Sequence, residues 1–510
     1  MDNWHTELAL TFHEETKHSY ESVYRNRYFL DWANQPQSFK RYLGLEAIPL
    51  PADLPMTQTP ALLALSPPGE MAVTTPVPTL HDLAYVLFYA AGVTKRRFYP
   101  GHGEMLFRAA ACTGALYHID LYLSVCDVPG LQAGLYHFDP YDFALRQLRQ
   151  GDYRRVLVEA SGDDLALQEA PVIVIGSDTF WRNAWKYRAR AYRHSFWDAG
   201  TVLANLLAAA HARTLPTRLT LGFADALVNA LLDVDTDREV ALFLVGLGTG
   251  APLPAAAPPV EPLHLQVAPL SREEFDYPAI RIMHAASSLE SPEDAAEWRG
   301  AISETPWPPV TGEMFPLCPD TAGNLPSAAL EDVIRRRGST RRFSHQPLSL
   351  VQLSNVLVRA TQPIPADCLA ASGRRLNDLY LIVNAVDGLP SGAYVFHPQS
   401  QALELLCAGD FRRQAGELAL GQELAADASV AIFCLCDVLA LLERFGNRGY
   451  RVAQLEGGIL GGRMYLAAYA QGFGATGLTF FDDDVTAFFS PHAADKSVMF
   501  LIALGYTARR

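Results

Sequence analysis

One stretch of this chain is repeated 258 residues further on, and the two copies align without a gap. The same register resumes at Tyr192 and Tyr450, and again at Gly200 and Gly458. A fixed period held over this length is typical of a duplicated domain rather than of chance similarity. The sequence therefore predicts two copies of one domain. The clearest shared positions are Asp120-Leu121-Tyr122-Leu123, Gly130-Leu131, Gly134, Tyr136, Phe138 and Pro140 in the first copy, and Asp378-Leu379-Tyr380-Leu381, Gly388-Leu389, Gly392, Tyr394, Phe396 and Pro398 in the second.

The length of 510 residues agrees with this duplication, since it exceeds one ordinary hydrophobic core and suits two domains of roughly 200 to 250 residues. A Pro/Ala-rich stretch that starts at Ala251 favours an extended spacer, and residues from about 270 to 300 read as a short helical arm. We predict an N-terminal domain over residues 1–250, a linker with a helical arm over 251–327, and a C-terminal domain over 328–510.

Within each copy the hydrophobic pattern predicts a helix, a short strand, a hairpin, another helix, a strand, a long helix and a final strand. The long helix spans roughly Ala191 to Ala212 in the first copy and Gly449 to Gln471 in the second. The last strands follow from the apolar runs at 240–246 and 498–505. This order indicates an α+β fold in which a mixed sheet is wrapped by helices.

Composition and charge exclude several classes of partner. The formal charge of −14 argues against binding to nucleic acid, which needs clustered Lys and Arg. No apolar run approaches the ~20 residues that cross a bilayer, so we expect no membrane association and a cytoplasmic location. The seven cysteines show no spacing typical of a metal or redox site, which favours reduced thiols and no bound metal.

The run Arg337-Gly338-Ser339-Thr340-Arg341 carries the strongest chemical signal of the second copy. Two guanidinium groups and a hydroxyl can bind a phosphate, because arginine offers a planar fork of donors and stays charged. Taken alone, such a cluster is also compatible with a solvated basic surface. Its position ahead of Pro347 and a helix from about Val351 favours the phosphate site.

This run resembles the opening motif of nitroreductase-like flavoproteins, in which an Arg-x-Ser-x-Arg element holds the phosphate of FMN. The whole chain resembles the tandem form of the SagB-type dehydrogenases, a branch of that superfamily known from the biosynthesis of thiazole- and oxazole-containing peptides. The resemblance includes 16–19, 30–36 and 39–42 near the N-terminus. It implies two fused nitroreductase-like domains that form a pseudo-dimer within one chain.

Two elements of this family stand only in the second copy. They are the phosphate-binding residues Arg337, Ser339 and Arg341, and a glycine-bearing turn with Gly472, Gly474 and Ala475 that the resemblance places beside the flavin. The glycine run also fits the dinucleotide pattern G-x-G-x-x-G, but that fingerprint requires a strand before it and a helix after it. The predicted order here is the reverse.

Two other elements stand only in the first copy. A turn that touches the flavin ring in family dimers resembles Ala111-Cys112-Thr113-Gly114, and a Lys-Tyr pair associated with catalysis in azoline-oxidising members matches Lys186-Tyr187. The second copy has Arg444-Phe445 in place of that pair. A cationic helix start is the alternative reading of Lys186. A basic residue that reaches the phosphate in family members matches Arg509, unless the terminus is merely disordered.

The four retained elements together imply one composite FMN site between the domains. We expect an FMN-dependent oxidoreductase with one flavin per chain that oxidises a heterocycle, azoline to azole, in a modified peptide, with Lys186 and Tyr187 managing the proton. One alternative is an NAD(P)H-dependent reductase of nitroaromatics or quinones. Another is a catalytically degenerate scaffold in a peptide-modifying complex. A peptide or small-molecule substrate and biosynthetic partner proteins are the expected partners.

Overall fold

The structure is a computed structural model that describes residues 2–25, 28–66, 77–99, 103–300, 307, 309–369 and 375–508. Within these ranges, every helix falls short of the length and apolarity needed to span a bilayer. The helices of the first half are α1 (Glu7–Glu15), α2 (Tyr20–Tyr24), α3 (Ala61–Ala64), α4 (Leu80–Ala91), α5 (Arg154–Ala160), α6 (Leu165–Gln168), α7 (Phe180–Tyr187), α8 (Ala191–Ala212) and α9 (Asp225–Leu232). Its strands are β1 (Ala47–Pro49), β2 (Val93–Tyr99), β3 (Gly103–Arg108), β4 (Ile119–Val125), β5 (Gly134–Asp139), β6 (Ala144–Gln150), β7 (Val172–Thr179), β8 (Thr217–Thr220) and β9 (Glu239–Leu247).

The linker carries two helices, α10 (Pro278–Ala286) and α11 (Pro292–Gly300). The helices of the second half are α12 (Leu330–Arg336), α13 (Leu350–Ala360), α14 (Arg412–Leu418), α15 (Glu423–Asp427), α16 (Val438–Phe445), α17 (Asn447–Ala470) and α18 (Asp482–Phe489). Its strands are β10 (Glu313–Pro316), β11 (Leu348–Ser349), β12 (Asp378–Val383), β13 (Val386–Asp387), β14 (Gly392–His397), β15 (Ala402–Ala408), β16 (Val430–Cys436), β17 (Gly474–Leu478) and β18 (Ser497–Gly505). Single 3₁₀ turns span Trp32–Asn34, Thr113–Ala115, Arg188–Arg190 and Ala322–Asn324.

Each half is built on one seven-stranded sheet, and the two sheets have the same strand order. The order is β1-β6-β5-β4-β7-β9-β8 in the first half and β10-β15-β14-β12-β16-β18-β17 in the second. From β4 to β9 each strand has its counterpart about 258 residues later, as the repeat predicts. The structure thus confirms the α+β class and the two fused copies of one domain.

The expected mixed arrangement of the strands is wrong in detail, because every neighbouring pair in both large sheets is antiparallel. Helices between strands usually indicate a crossover between parallel neighbours. Here β7 and β8 do run in the same direction and are joined by helices, but β9 inserts between them and pairs antiparallel with both. The second half repeats this with β16, β17 and β18.

The two halves meet where the long helices α8 and α17 cross, and glycines form the crossing point. A Cβ atom at Gly458 would lie 2.4 Å from the carbonyl oxygen of Trp197, and one at Gly200 would lie 2.6 Å from the backbone of Gly458. These two glycines occupy equivalent positions in the repeat. The contact is therefore isologous, as at the two-fold axis of a homodimer.

Two buried ion clusters flank the crossing and mirror one another. On one side Arg190 and Arg193 of the first half contact Asp482 of the second, at 3.0 and 2.6 Å. On the other side Arg448 and Arg451 of the second half contact Asp225 of the first, at 2.6 and 2.7 Å. Each cluster joins the two halves, and loss of one partner would leave a buried charge without compensation.

We predict that Gly458→Ala weakens the fold, because the added methyl group meets backbone atoms of the partner helix that cannot move aside. Overpacking of this kind costs about 1–3 kcal/mol of the free energy of unfolding. The measurement is the denaturant midpoint followed by circular dichroism. Gly323→Ala is the matched control, since a Cβ there has no atom within 4 Å. Equal midpoints for the two variants would contradict the close approach of the helices.

Candidate active site

A cavity of about 840 Å³ lies between the two halves, on one side of the helix crossing. Pockets for small molecules commonly enclose about 300–1,000 Å³, so its size suits a cofactor together with a substrate. The first half contributes the β2–β3 hairpin, the 110–117 segment, the end of α7 and one face of α8; the second contributes 337–341, Tyr465 of α17 and 476–479. The residues singled out from the sequence that line it are Ala111, Cys112, Thr113, Gly114, Lys186, Tyr187, Arg337, Ser339 and Arg341.

The predicted glycine-bearing turn is placed differently. Gly474 and Ala475 lie in β17 and pair with β18, and a Cβ at Gly474 would overlap the Thr340 hydroxyl at 2.0 Å. Glycine is needed there for packing of the strand, and neither residue belongs to the cavity lining. Gly472 precedes the strand with φ +83° and also lies outside the lining. The wall comes instead from the next residues, 476–479, and Arg509 lies outside the described residues.

The cavity is cationic although the whole chain carries a net charge of −14. Among the described residues, Asp198 supplies the lining's carboxylate, against six basic side chains. A low-dielectric cleft lined by one sign of charge concentrates ligands of the opposite sign. This cavity therefore suits an anionic ligand. The basic side chains are those of Lys95, Arg97, Arg108, Lys186, Arg337 and Arg341.

Lys95 and Arg97 were missed from the sequence. Both lie on the β2–β3 hairpin, which the hydrophobic pattern did not predict. The signal for them is the basic run Lys95-Arg96-Arg97, which lies far from the phosphate motif in the sequence. Only the docking of the two halves brings this hairpin beside 337–341.

The two arginines of the phosphate motif have different roles in the structure. Arg337 is buried, and it donates through Nε and Nη2 to the backbone carbonyls of Arg108 and Ala109 at 2.9–3.1 Å. It therefore joins the second half to the first, with much of its donor capacity already used. The Arg341 side chain, in contrast, is exposed and has no partner within the described residues. Arg341 is the guanidinium group best able to bind an incoming anion.

Ser339 is held by the phenol of Tyr465. The two hydroxyl oxygens are 3.1 Å apart, and the Tyr465 oxygen also accepts the backbone N–H of Gly477 at 2.6 Å. One side chain of α17 thus fixes the serine of the motif relative to the end of β17. The position of Ser339 is set before any ligand arrives, which lowers the entropic cost of binding.

A buried polar network holds the Cys112–Gly114 turn. The Asp198 carboxylate accepts the Thr113 backbone N–H at 2.9 Å, the Thr113 hydroxyl at 2.7 Å and the Cys112 thiol at 3.1 Å. Behind it, His118 Nε2 lies 2.7 Å from Asp198 and Nδ1 lies 2.6 Å from Asp178. The turn is thereby fixed against α8. Gly114 adopts φ +61°, and its Cβ position lies 3.0 Å from the Tyr187 hydroxyl, so a side chain there would disturb both turn and tyrosine.

The charges of this network follow from its geometry. Burial alone would lower the pKa of His118, but the flanking carboxylates of Asp178 and Asp198 raise it well above its ordinary value. The histidine is therefore a buried cation between two anions. Burial and the Asp198 carboxylate raise the pKa of Cys112 to about 11, so this thiol stays protonated and acts as a hydrogen-bond donor.

Cys112, His118 and Asp198 also place three potential metal ligands within 4.8 Å of one another. Ligand atoms bound tetrahedrally to zinc lie about 3.3–3.7 Å apart. The His118 nitrogen and the Asp198 oxygen are only 2.7 Å apart, which is a hydrogen-bond distance. Cys112, His118 and Asp198 therefore form a hydrogen-bonded network and not a zinc site.

Lys186 and Tyr187 end α7 at the rim of the cavity. Burial and the nearby Arg341 lower the pKa of Lys186, which moves the amine toward the range where it can accept a proton. Burial and the Asp198 carboxylate raise the pKa of Tyr187, so its hydroxyl is a proton donor rather than a base. The Lys186 ammonium lies 5.3 Å from the centre of the Tyr187 ring, and that ring packs against His194.

The position related to this cavity by the repeat is closed. Its lining includes Leu242, Val452 and Leu455, the counterparts of Phe500, His194 and Trp197, and the remaining space is about 10 Å³ in the part of the chain that the structure describes. Trp298 of the linker helix α11 donates to the carbonyl oxygen of Phe445, the counterpart of Tyr187, at 2.8 Å. Within the described residues, the second site of the pseudo-dimer is thus filled by side chains and covered by the linker.

The chain is a pseudo-dimer of two α+β copies, and its cationic cavity is lined by residues of both halves. Comparison with known families assigns the class. The model of the nitroreductase family matches residues 137–249 and 334–506, which is more than half of the chain. The chain therefore belongs to the nitroreductase family and is an oxidoreductase. Proteins of this family generally use a flavin cofactor.

Individual relatives agree with this assignment. A crystal structure of a protein named as a nitroreductase, from Anabaena variabilis, is similar over 98% of this chain and 99% of its own, with a TM-score of 0.76 and 26% sequence identity. A nitroreductase homologue of Methanocaldococcus jannaschii is 26% identical over 170 residues, which are 33% of this chain and 80% of that protein. The trifolitoxin-processing protein TfxB of Rhizobium leguminosarum bv. trifolii is 29% identical over 179 residues, 32% of this chain and 45% of its own length.

We predict that the buried His118 cation makes stability depend on pH. A group whose pKa is raised by folding stabilises the protein fully below its unfolded pKa of about 6.5 and loses that contribution as pH rises toward the folded value. Unfolding free energy should therefore fall above pH 6.5, by up to about 1.4 kcal/mol per pH unit from this group. The measurement is urea denaturation from pH 6 to 9.

The matched controls for this prediction are two histidine variants. His118→Gln should remove the slope, whereas the exposed His81→Gln should keep it. A slope that persists unchanged in His118→Gln would show that another group carries the pH dependence.

Proposed function

We propose that this chain is an FMN-dependent dehydrogenase with one working flavin site, which acts on a heterocycle in a modified peptide. The observation that carries the proposal is the large cavity between the halves, cationic in an acidic chain, in a member of the nitroreductase family. Its closed counterpart supports one flavin per chain. The family assignment supports an enzyme rather than a scaffold.

The residues present fit FMN. Arg341, whose donors are free within the described residues, and Ser339 would hold the phosphate, with Lys95 and Arg97 adding positive charge from the facing hairpin. Aromatic and apolar side chains, among them Trp197, would line the space for the ring system. The Cys112–Gly114 turn is rigid enough to present its backbone to a ligand, since Asp198 fixes it through three hydrogen bonds.

The proposed reaction removes two electrons and two protons from an azoline ring. Bound FMN would supply the hydride-accepting chemistry, which no side chain offers. Lys186, with its lowered pKa, takes the proton that leaves the ring. Tyr187, which stays protonated, orients the substrate by donating its hydroxyl hydrogen, and Trp197 and Phe107 keep water away from the reacting atoms.

The peptide substrate is supported by the similarity to the trifolitoxin-processing protein, a relative whose name describes processing of a toxin. The Lys186-Tyr187 pair supports the same direction, because proton removal from carbon needs a base whereas reduction of an acceptor does not. On this proposal, further biosynthetic proteins would prepare the azoline before it reaches this enzyme.

A second candidate is the NAD(P)H-dependent reduction of nitroaromatics or quinones. The similarity over nearly the full chain to the Anabaena variabilis protein, which is named as a nitroreductase, favours it. In that case the cationic cavity would also receive the phosphates of the nicotinamide donor, and Lys186 would have no proton to remove from carbon.

We predict about one FMN per purified chain by absorption spectroscopy with protein quantification, because one of the two pseudo-symmetric sites is closed. Arg341→Ala should weaken FMN binding about 10- to 100-fold, since a hydrogen bond to a charged group contributes roughly 1.5–3 kcal/mol. Arg342→Ala is the matched control, because Arg342 is exposed beside it and does not line the cavity. Two flavins per chain, or equal losses in both variants, would contradict the composite site.

We predict that Lys186→Ala lowers the oxidation of a synthetic thiazoline-containing peptide by about 100-fold or more, the usual contribution of a general base. Reduction of a quinone by the same variant with NADH as the donor should change by less than about threefold. The peptide reaction is followed as the anaerobic single-turnover reduction of bound FMN, in which the flavin is the oxidant, and the quinone reaction as a steady-state rate with NADH. Lys186→Arg serves as the control that keeps the charge without an accessible neutral form.

A large fall in both reactions would indicate that Lys186 supports the site structurally. An unchanged peptide oxidation, with the flavin content intact, would exclude Lys186 as the base.

A further inference from the structure

Because the two halves are repeats, the same surface can be compared in each. The outer face of the sheet is covered by the linker in the first half and forms a groove in the second. In the first half the linker passes over this face as an extended, proline-rich segment. Leu253, Leu263 and Leu265 pack on the hydrophobic cluster there, beside Leu148 and Leu231. The first half therefore shows what kind of chain this face of the domain accepts.

Backbone contacts fix the linker in this position. Arg149 donates to the carbonyl oxygen of Glu261 at 2.7 Å, and the Asp233 carboxylate accepts the backbone N–H groups of Leu263 and His264 at 3.0 and 3.1 Å. Further on, the Leu43 N–H donates to the Gln266 carbonyl at 2.8 Å, next to an antiparallel bridge between Tyr42 and Val267. The segment is thus held by backbone hydrogen bonds and one isolated β-bridge, with its leucines against an apolar surface.

The same face of the second half is an open groove of about 600 Å³ in the part of the chain that the structure describes. Its lining includes Ala393, Leu406, Cys407, Phe489 and Pro491. By the repeat these residues correspond to Leu135, Leu148, Arg149, Leu231 and Asp233, which contact the linker in the first half. Cys407 and Pro491 replace Arg149 and Asp233, so this groove keeps the apolar positions and lacks the two side-chain anchors of the linker. Ala393 is a smaller side chain than Leu135, its counterpart in the first half.

The backbone edge beside this groove is also available. Ala47 pairs with Arg146 in the first half, and Met314 pairs with the equivalent residue Glu404 in the second. Counting back four residues from each, Val310 is the counterpart of Leu43, whose backbone N–H donates to the linker. The backbone N–H of Val310 has no partner within the described residues, and the side chain is 54% exposed. Apolar surface and an unpaired strand edge coincide at one place, as they do in grooves that bind extended peptides.

We propose that this groove, defined by Val310, Ala393, Leu406, Cys407 and Phe489, binds an extended, apolar and proline-containing segment of a separate polypeptide. The linker of the first half serves as the internal model for the occupant. It carries few charges and has prolines at 252, 254, 258, 259 and 262. The groove lies apart from the flavin cavity lining, and the inference does not depend on the proposed reaction.

A synthetic peptide with the sequence of residues 252–268, labelled with a fluorophore, is the probe, and fluorescence anisotropy with the full chain is the measurement. We expect saturable binding that Leu406→Asp weakens about tenfold or more, because it places a charge against apolar ligand surface. Leu439→Asp, at a 60% exposed position on α16 outside the groove, is the matched control and should bind like the unchanged chain. No saturable binding, or equal binding by both variants, would overturn the proposal.

Two exposed cysteines allow a second test on the unchanged chain. Cys407 lies in the groove and Cys318 does not. Peptide binding should slow the alkylation of Cys407 about tenfold, as followed by mass spectrometry, and leave Cys318 unaffected, since only buried thiols lose access to reagent. Equal rates with and without peptide would count against the groove. A Cys407 that is already protected in a protein that sediments as a dimer would assign the groove to a second copy and also overturn the proposal.

Discussion

The close approach of α8 and α17 at Gly200 and Gly458 is the contact on which the rest of the structure depends. Backbone meets backbone there, so the two copies dock in one relative orientation and the ion clusters around Asp225 and Asp482 fall on either side. A two-fold contact of this kind creates two equivalent clefts, each lined by both halves. The cavity and its closed counterpart are these two clefts, and they have diverged within one chain.

Divergence became possible because a covalent link holds the copies together at a high effective concentration, so association no longer requires two intact sites. The same link breaks the symmetry. Its helix α11 covers one cleft, where Trp298 packs on Phe445, and its extended part covers the outer face of the first half. Within the described residues, the closed cleft and the open outer groove are two asymmetries that follow the path of the linker.

The sequence was sufficient for the repeat and the long helices, because identities at a fixed period and the spacing of apolar residues can both be recognised in a single chain. The structure adds two local features that were not predicted, the capping boxes Thr79-x-x-Asp82 and Ser349-x-x-Gln352, which begin α4 and α13. Strand neighbours were not accessible in this way. The insertion of β9 between β7 and β8 is a long-range pairing, and the hydrophobic pattern of a strand does not report which partner it takes.

The composite site shows the same limit at the level of single residues. The motif at 337–341 could be recognised in the sequence. The role of Arg337 in joining the halves, however, depends on the carbonyl groups of residues 108 and 109. The basic β2–β3 hairpin likewise becomes part of the site only because it lies opposite that motif in the folded chain. The glycine run predicted as a ligand-binding turn lies in β17, where Gly474 and Ala475 pair with β18 and Thr340 packs on Gly474, while Thr476 and Gly477 line the cavity. Motifs identify residue types that suit a chemistry, whereas the docking of the halves decides which donors remain free for a ligand. Arg341 is the clearest case, since it has the same guanidinium group as Arg337 but is exposed and has no hydrogen-bond partner among the described residues, whereas Arg337 is buried and bound to two backbone carbonyls.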